Sequence, residues 1–218
     1  MPDSPMYLSR LVLNPENADV RRDLASPYEL HRTLMRAFPG DAPSGNRLLF
    51  RVEAEQTRGG VAVLVQSHPE PPRWAFLDRM DDYACGVEGP KEMEPSLREQ
   101  QHLCFRLAAN PTKKVQNKRV PLIHDGPNPK NHPTYHDWLW RKAAQHGFEV
   151  LRAEDAPFRT ALPNRRKDAY EKKELPLFGV RFDGVLRVTD AGRLLEAVRG
   201  GVGPAKAFGF GLLSLAPA

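Results

Sequence analysis

The sequence predicts an α+β protein built as two tandem ferredoxin-like (RRM-like) βαββαβ domains. Three observations point there. The chain has 218 residues, room for two domains of about 100 residues each. Its first half reads strand, helix, strand, strand. Its second half repeats that order after a stretch broken by glycine and proline. The likeness is one of pattern, without a sequence repeat. The boundaries read as 1–84 for the first domain, 85–98 for a linker and 99–218 for the second domain.

The elements of the first half follow in order. Tyr7–Leu13 is a partly alternating strand stopped by Asn14-Pro15. A polar segment with Arg21, Arg22 and Asp23 leads into a short helix, Ala25–Leu34, for which Ser26 reads as the side-chain N-cap and Pro27 as the first helical residue. Leu48, Phe50 and Val52 alternate in a second strand over 46–55, Arg58-Gly59-Gly60 makes a tight connection, and Val61–Gln66 gives a third strand. A helical piece near Trp74–Met80 and one further edge strand would complete the unit.

From Tyr83 onward Gly86, Gly89, Pro90 and Pro95 remove the periodicity, which is why the linker falls there. The second half restarts at His102–Ala108, an alternating strand ending at Asn110-Pro111. Lys113, Lys114, Lys118 and Arg119 follow without an acid among them, and prolines to Pro133 form a loop. Thr134 reads as the cap of a helix from Tyr135 to about His146, with Trp138, Leu139 and Ala143 inward and Gly147 as its C′ stop. Phe148–Arg152 is a strand, and strand-like pieces at Phe158–Leu162 and Leu175–Val188 flank a basic tip. Thr189 reads as the cap of a last helix, and Leu212–Leu215 as the last strand.

Composition excludes several classes. Hydrophobic residues make up 40% and charged residues 27%, a balance that supports a core rather than disorder. A formal charge of +5 favours a polyanionic partner. Cys85 and Cys104 lack metal-ligand spacing, so neither a disulfide framework, a metal nor another cofactor is expected. No stretch approaches the ~18 apolar residues of a membrane span, and Met1–Tyr7 lacks a leader pattern. The expected location is the cytoplasm, with no membrane partner.

Three stretches carry chemistry. In the helix after Ser26, Leu30, Leu34 and Ala37 form a core stripe, while Tyr28, His31, Arg32 and Met35 fall opposite. Tyr28 and His31 are three apart and therefore neighbours. Together with Arg32 they offer a proton donor, a proton acceptor and an anion binder, although a lone surface histidine is ordinarily solvated and idle. The second stretch, Gly200–Ser214, exposes backbone N–H groups around Lys206 and suits an anion site or, equally, a tight turn closing a sheet. The third is Arg159–Lys173, in which Arg159, Arg165, Arg166, Lys167, Lys172 and Lys173 face only Asp168 and Glu171. It suits a hairpin tip pressed against phosphates, with a solvated loop as the plain alternative.

The run Gly201-x-Gly203-x-x-Lys206-x-x-Gly209-x-Gly211-Leu212-Leu213 resembles the signature of the RAMP superfamily of CRISPR RNA-processing proteins. Joined to Leu11–Pro15, to Arg21-Arg22-Asp23-Leu24 through Leu34, and to Arg106–Pro111, it is similar to the CasE type, the endoribonuclease of type I-E systems. The resemblance spans essentially the whole chain. It implies two tandem ferredoxin-like domains and metal-independent cleavage of CRISPR repeat stem-loop RNA. It also implies retention of the crRNA product among the other Cascade subunits, with a monomer outside that complex. By position, His31 and Tyr28 match the family's catalytic pair, and Arg32 and Arg36 stand where basic residues approach the scissile phosphate. The expected RNA contacts are Arg36, Arg106, Lys113, Lys114, Arg159, Arg165, Arg166, Lys167, Gly201, Gly203, Lys206, Gly209 and Gly211.

RNA brings its own nucleophile, the 2′-hydroxyl, so a base, an acid and charge stabilisation suffice. His31 is the natural base and Arg32 the candidate for charge stabilisation; Tyr28 either donates to the leaving oxygen or orients the phosphate. A subunit that holds guide RNA without cutting fits the charge and the glycines equally well. A DNA-directed or toxin-like nuclease is the other rival.

Overall fold

The computed structural model describes residues 4–38, 46–57, 59–122, 133–162 and 175–218. The chain divides into two compact units, one running to Glu94 and one beginning at Pro95, with residues 160–162, residues 175–176 and Ala207–Gly209 belonging to the first.

In the first unit β1 (Met6–Leu13) is followed by α1 (Ala18–Ala25), α2 (Pro27–Met35), β2 (Arg47–Thr57), β3 (Gly60–His68), a 3₁₀ turn (Trp74–Arg79) and β4 (Ala84–Met93). The sheet runs in the order β2-β3-β1-β4, and β1 pairs antiparallel with both β3 and β4. This is the expected ferredoxin-like order, with a 3₁₀ turn in place of the second helix. Leu11 and Leu13 of β1 and Val63 and Val65 of β3 alternate onto one face, where Leu30, Leu34 and Ala37 close the core. The apolar stripe read from the sequence is therefore the buried side of α2.

Three local expectations need correction here. Ser26 does begin α2, but its hydroxyl makes no cap bond and its Oγ is buried without a partner. The residue is shared between two helices: its N–H donates to Arg22 and Asp23 carbonyls to end α1, while its carbonyl accepts from Leu30. The segment before it is not merely a polar lead-in. It is α1, capped by Asn17, whose side chain accepts from the Asp19 and Val20 N–H groups. Finally, most of the stretch assigned to a linker, 85–98, is strand β4. It is an edge strand with a largely exposed surface, so it carries no apolar alternation to read.

The second unit consists of β5 (His102–Ala109), β6 (Thr112–Val115), β7 (Lys118–Pro121), α3 (Tyr135–Gln145), β8 (Phe148–Leu162), β9 (Leu175–Val188), α4 (Ala191–Gly200) and β10 (Leu213–Pro217). Its main sheet runs β10-β5-β9-β8, the same ferredoxin-like order. Leu107 of β5 lies opposite Phe182 of β9, both fully buried. Thr134 caps α3 through a reciprocal pair of bonds with Asp137, as its position predicts. Gly147 ends the helix with φ 74°. The last helix starts one residue later than expected. Asp190 rather than Thr189 is its cap, accepting from Arg193 N–H at 2.9 Å, three residues on as a side-chain cap requires. The two pieces expected at Phe148–Arg152 and Phe158–Leu162 are one continuous strand. The β6–β7 hairpin was hidden in the charge run Lys113–Arg119.

Candidate functional site

α2 is held in place from below. Asp23 of α1 is fully buried, and its Oδ2 accepts from Thr33 Oγ1 at 2.6 Å and from Tyr83 OH at 2.7 Å. Its Oδ1 accepts from Arg22 Nε at 3.0 Å and Nη2 at 2.8 Å. One carboxylate thus ties α1, α2 and the residue just before β4 together. Burial and the Asp23 carboxylate push the Tyr83 phenol far above its ordinary pKa, so it stays a donor. No local pattern announces this knot, since an Arg-Arg-Asp run reads as surface.

His31 lies on the same helix, two residues before Thr33. It is half-buried rather than turned outward, and its ring lies nearly parallel to Phe50, 6.2 Å between centroids. Its Nδ1 is buried without a hydrogen-bond partner. Burial lowers its pKa from the ordinary 6.5, so the ring is neutral at neutral pH and can accept a proton. An orphaned polar atom in a folded core costs stability, so the unpaired Nδ1 is a feature that packing alone does not explain. Tyr28, half-buried, stands one turn earlier.

The arginines gather on a neighbouring face. A groove of about 480 Å³ is lined by Arg22, Glu29, Arg32, Thr33 and Arg36. Arg32 is exposed and paired with Glu29 at 2.8 Å. The Arg36 guanidinium sits 4.7 Å above the Phe76 ring. The structure therefore places Arg32 and Arg36 together with Arg22, which the sequence reading left out, and places His31 against Phe50 instead of among them.

In the second unit the glycines turn out to be close-approach positions. A Cβ on Gly203 (φ 86°) would lie 2.7 Å from Trp138 Cζ2, and one on Gly211 (φ 89°) 3.0 Å from the Val202 carbonyl oxygen. Gly201 terminates α4 with φ 73°. In the first unit, a Cβ on Gly209 (φ 83°) would press to 3.1 Å on Phe50, the ring that His31 faces. Lys206 donates to the Gly200 carbonyl at 2.6 Å, at the negative end of α4. With Gly201, Gly203, Lys113 and Lys114 it lines a cleft of about 660 Å³. Arg106 is half-exposed and bonded to Asp183, which Arg181 shares. Arg159 is exposed on β8. Arg165, Arg166 and Lys167 lie outside the described residues.

Comparison with known proteins covers nearly the whole chain. The family model described as CRISPR associated protein matches residues 6–217. The CRISPR-associated endoribonuclease Cse3 of Thermus thermophilus is 42% identical over 97% of this chain and 100% of its own length. The CRISPR system Cascade subunit CasE of Escherichia coli is 32% identical with the same coverage. The solved structure of T. thermophilus Cse3 bound to an RNA representing a pre-cleavage complex superposes with a TM-score of 0.80 at 40% identity, over 98% of this chain and 100% of that one.

Proposed function

This chain belongs to the CRISPR-associated protein family, in its CasE-type endoribonuclease branch, and from that premise we propose that it cuts CRISPR repeat stem-loop RNA into crRNA without a metal ion. The observation that carries the reading is His31: an imidazole kept neutral by burial, its Nδ1 unpaired, on a helix beside a groove that collects three arginines from α1 and α2. In the reaction Nε2 takes the 2′-hydroxyl proton, the 2′-oxygen bonds to phosphorus, and the P–O5′ bond breaks. The 5′-oxygen leaves as a hydroxyl after gaining a proton, and the upstream fragment ends in a 2′,3′-cyclic phosphate. Tyr28 either supplies that proton or orients the phosphate, and Arg32 offsets the added negative charge in the phosphorane. The product stays bound, and the protein works in the cytoplasm with other Cascade subunits, as a monomer outside that complex. Arg36, Arg106, Arg159 and the tip residues Arg165, Arg166 and Lys167 hold the RNA through phosphate and stem contacts.

The test uses purified protein and its cognate repeat RNA in EDTA. His31→Ala should abolish single-turnover cleavage while binding stays within about tenfold, a change below ~1.4 kcal/mol. An RNA with a 2′-deoxy nucleotide upstream of the scissile phosphate should bind and remain uncut. Full activity of the variant, or cleavage of the deoxy substrate, overturns the mechanism. A wild type that binds but never cuts makes the chain a non-catalytic RNA-holding subunit.

A further inference from the structure

The second unit carries a cluster of cations that the rest of the molecule does not prepare one to find. Elsewhere many arginines are given to carboxylates: Arg10 to Glu88, Arg22 to Asp19 and Asp23, Arg32 to Glu29, Arg152 to Glu154 and Arg187 to Glu149. Among the described residues Lys113, Lys114, Arg119, Arg141 and Lys142 have no carboxylate partner, and they line one cleft, whose described walls hold no acidic residue. Three separate pieces of chain supply them. Lys113 and Lys114 come from β6, Arg119 from β7 and Arg141 and Lys142 from α3.

Local geometry keeps these charges close. Lys114 and Arg119 are direct cross-strand partners in the hairpin, a like-charge pairing that is unfavourable without an anion between or beside them. His146 at the end of α3 also faces the cleft. Burial and the nearby Lys142 and Lys206 depress its pKa, and burial with Arg141 and Arg119 does the same to Lys142. The third wall is backbone. Gly203 packs so closely on Trp138 that a Cβ would come within 2.7 Å of the ring, and its loop lines the cleft together with Gly201, Pro204 and Lys206. The volume of about 660 Å³ falls in the ~300–1,000 Å³ range of pockets that engulf a small ligand. A cleft of that size takes a short stretch of one strand's backbone.

We infer that this cleft is a binding site for a single RNA strand, gripping consecutive backbone phosphates between α3 and the β6–β7 hairpin. The inference rests on the reading of the chain as an RNA-processing enzyme and deepens it. The stem-loop is one part of the substrate, and the cleft takes an unpaired stretch attached to it. Arg119, Arg141, Lys142 and His146 join the expected contacts on structural grounds alone.

The experiment is an equilibrium titration of the full chain with a short, labelled, unstructured oligouridylate at several salt concentrations, with the repeat hairpin run in parallel. The wild type is compared with Arg119→Ala/Arg141→Ala, and with the single change Arg141→Gln in case the double variant folds poorly. Arg152→Ala/Arg193→Ala, which removes the same charge from ion-paired surface positions, is the control. The expected result is that the cleft variant binds oligouridylate at least tenfold more weakly. Its slope of log affinity against log salt should fall by about 1.4, at about 0.7 per phosphate lost, while the control barely moves. Unchanged affinity and slope in the cleft variants, an equal loss in the control, or no oligouridylate binding by the wild type would each overturn the inference. Equal competition by adenosine monophosphate would overturn it too, by making the cleft a mononucleotide site. If the cleft variants lose oligouridylate as expected but the wild type cuts no repeat RNA, the cleft stands and the endonuclease reading falls.

Discussion

In the proposed mechanism one environment at His31 serves chemistry and penalises folding at once. The base form is then the active one, and burial lowers its pKa from 6.5, so the single-turnover rate should rise with pH through a midpoint below that value and then level off. An acidic midpoint above it would contradict the assignment. The unfolded chain takes up the same proton near ~6.5, whereas the folded chain resists until lower pH. The unfolded state therefore binds more protons in that window, and stability must fall as pH drops through it. Asp23 is the complementary case, a residue whose value is wholly internal. Asp23→Ala leaves the Tyr83 and Thr33 hydroxyls without their acceptor and should cost on the order of 3 kcal/mol in chemical denaturation. A loss below about 1 kcal/mol would mean that water replaces the carboxylate. The helix carrying His31 and Tyr28 was legible because Pro27 fixes its start and the spacing sets the two one turn apart, but the half-burial of His31 against Phe50 was not, because Phe50 comes from β2. Asp23 was illegible because its partners lie 10 and 60 residues away.

Among elements, α3 was the easiest to read and the hairpin beside it the hardest. α3 has a capping box, an apolar face and a glycine stop, and local signals of that kind survive into the fold. A Cβ on Gly147 would meet the Asp190 carbonyl oxygen at 2.4 Å at a φ of 74°. Gly147→Ala should therefore cost about 1–3 kcal/mol or more and lower the melting temperature. Gly200, the last residue of α4, has open space around its Cα, so Gly200→Ala should leave stability equal or raise it by up to ~1 kcal/mol. Thermal unfolding of the pair distinguishes the two, and equal effects would refute the distinction. The β6–β7 hairpin carries lysine and arginine where strands usually show alternating apolar residues, so its pattern spoke of charge and hid its shape.

For the whole molecule, the repeated strand order was visible because each unit keeps its apolar residues on the central strands β1, β3, β5 and β9. Outer strands were legible only where they kept an apolar face, and β4 kept little of one. Its register slips between Leu8 and Arg10 of β1, with Gly89 (φ 94°) too close to the Leu8 carbonyl oxygen to carry a side chain. Pro90 beside it has no N–H to offer, and Glu88, Lys91 and Glu92 are exposed. A border of this kind refuses a further strand. Copies of the chain concentrated along a long anionic polymer would otherwise meet edge to edge and grow into insoluble sheet. Pro90→Val should accordingly raise light scattering in concentrated solution relative to the wild type, and identical scattering would show that this border plays no such part. The irregularity that hid β4 from a reader of the sequence is the same one that, on this reading, hides it from neighbouring copies of itself.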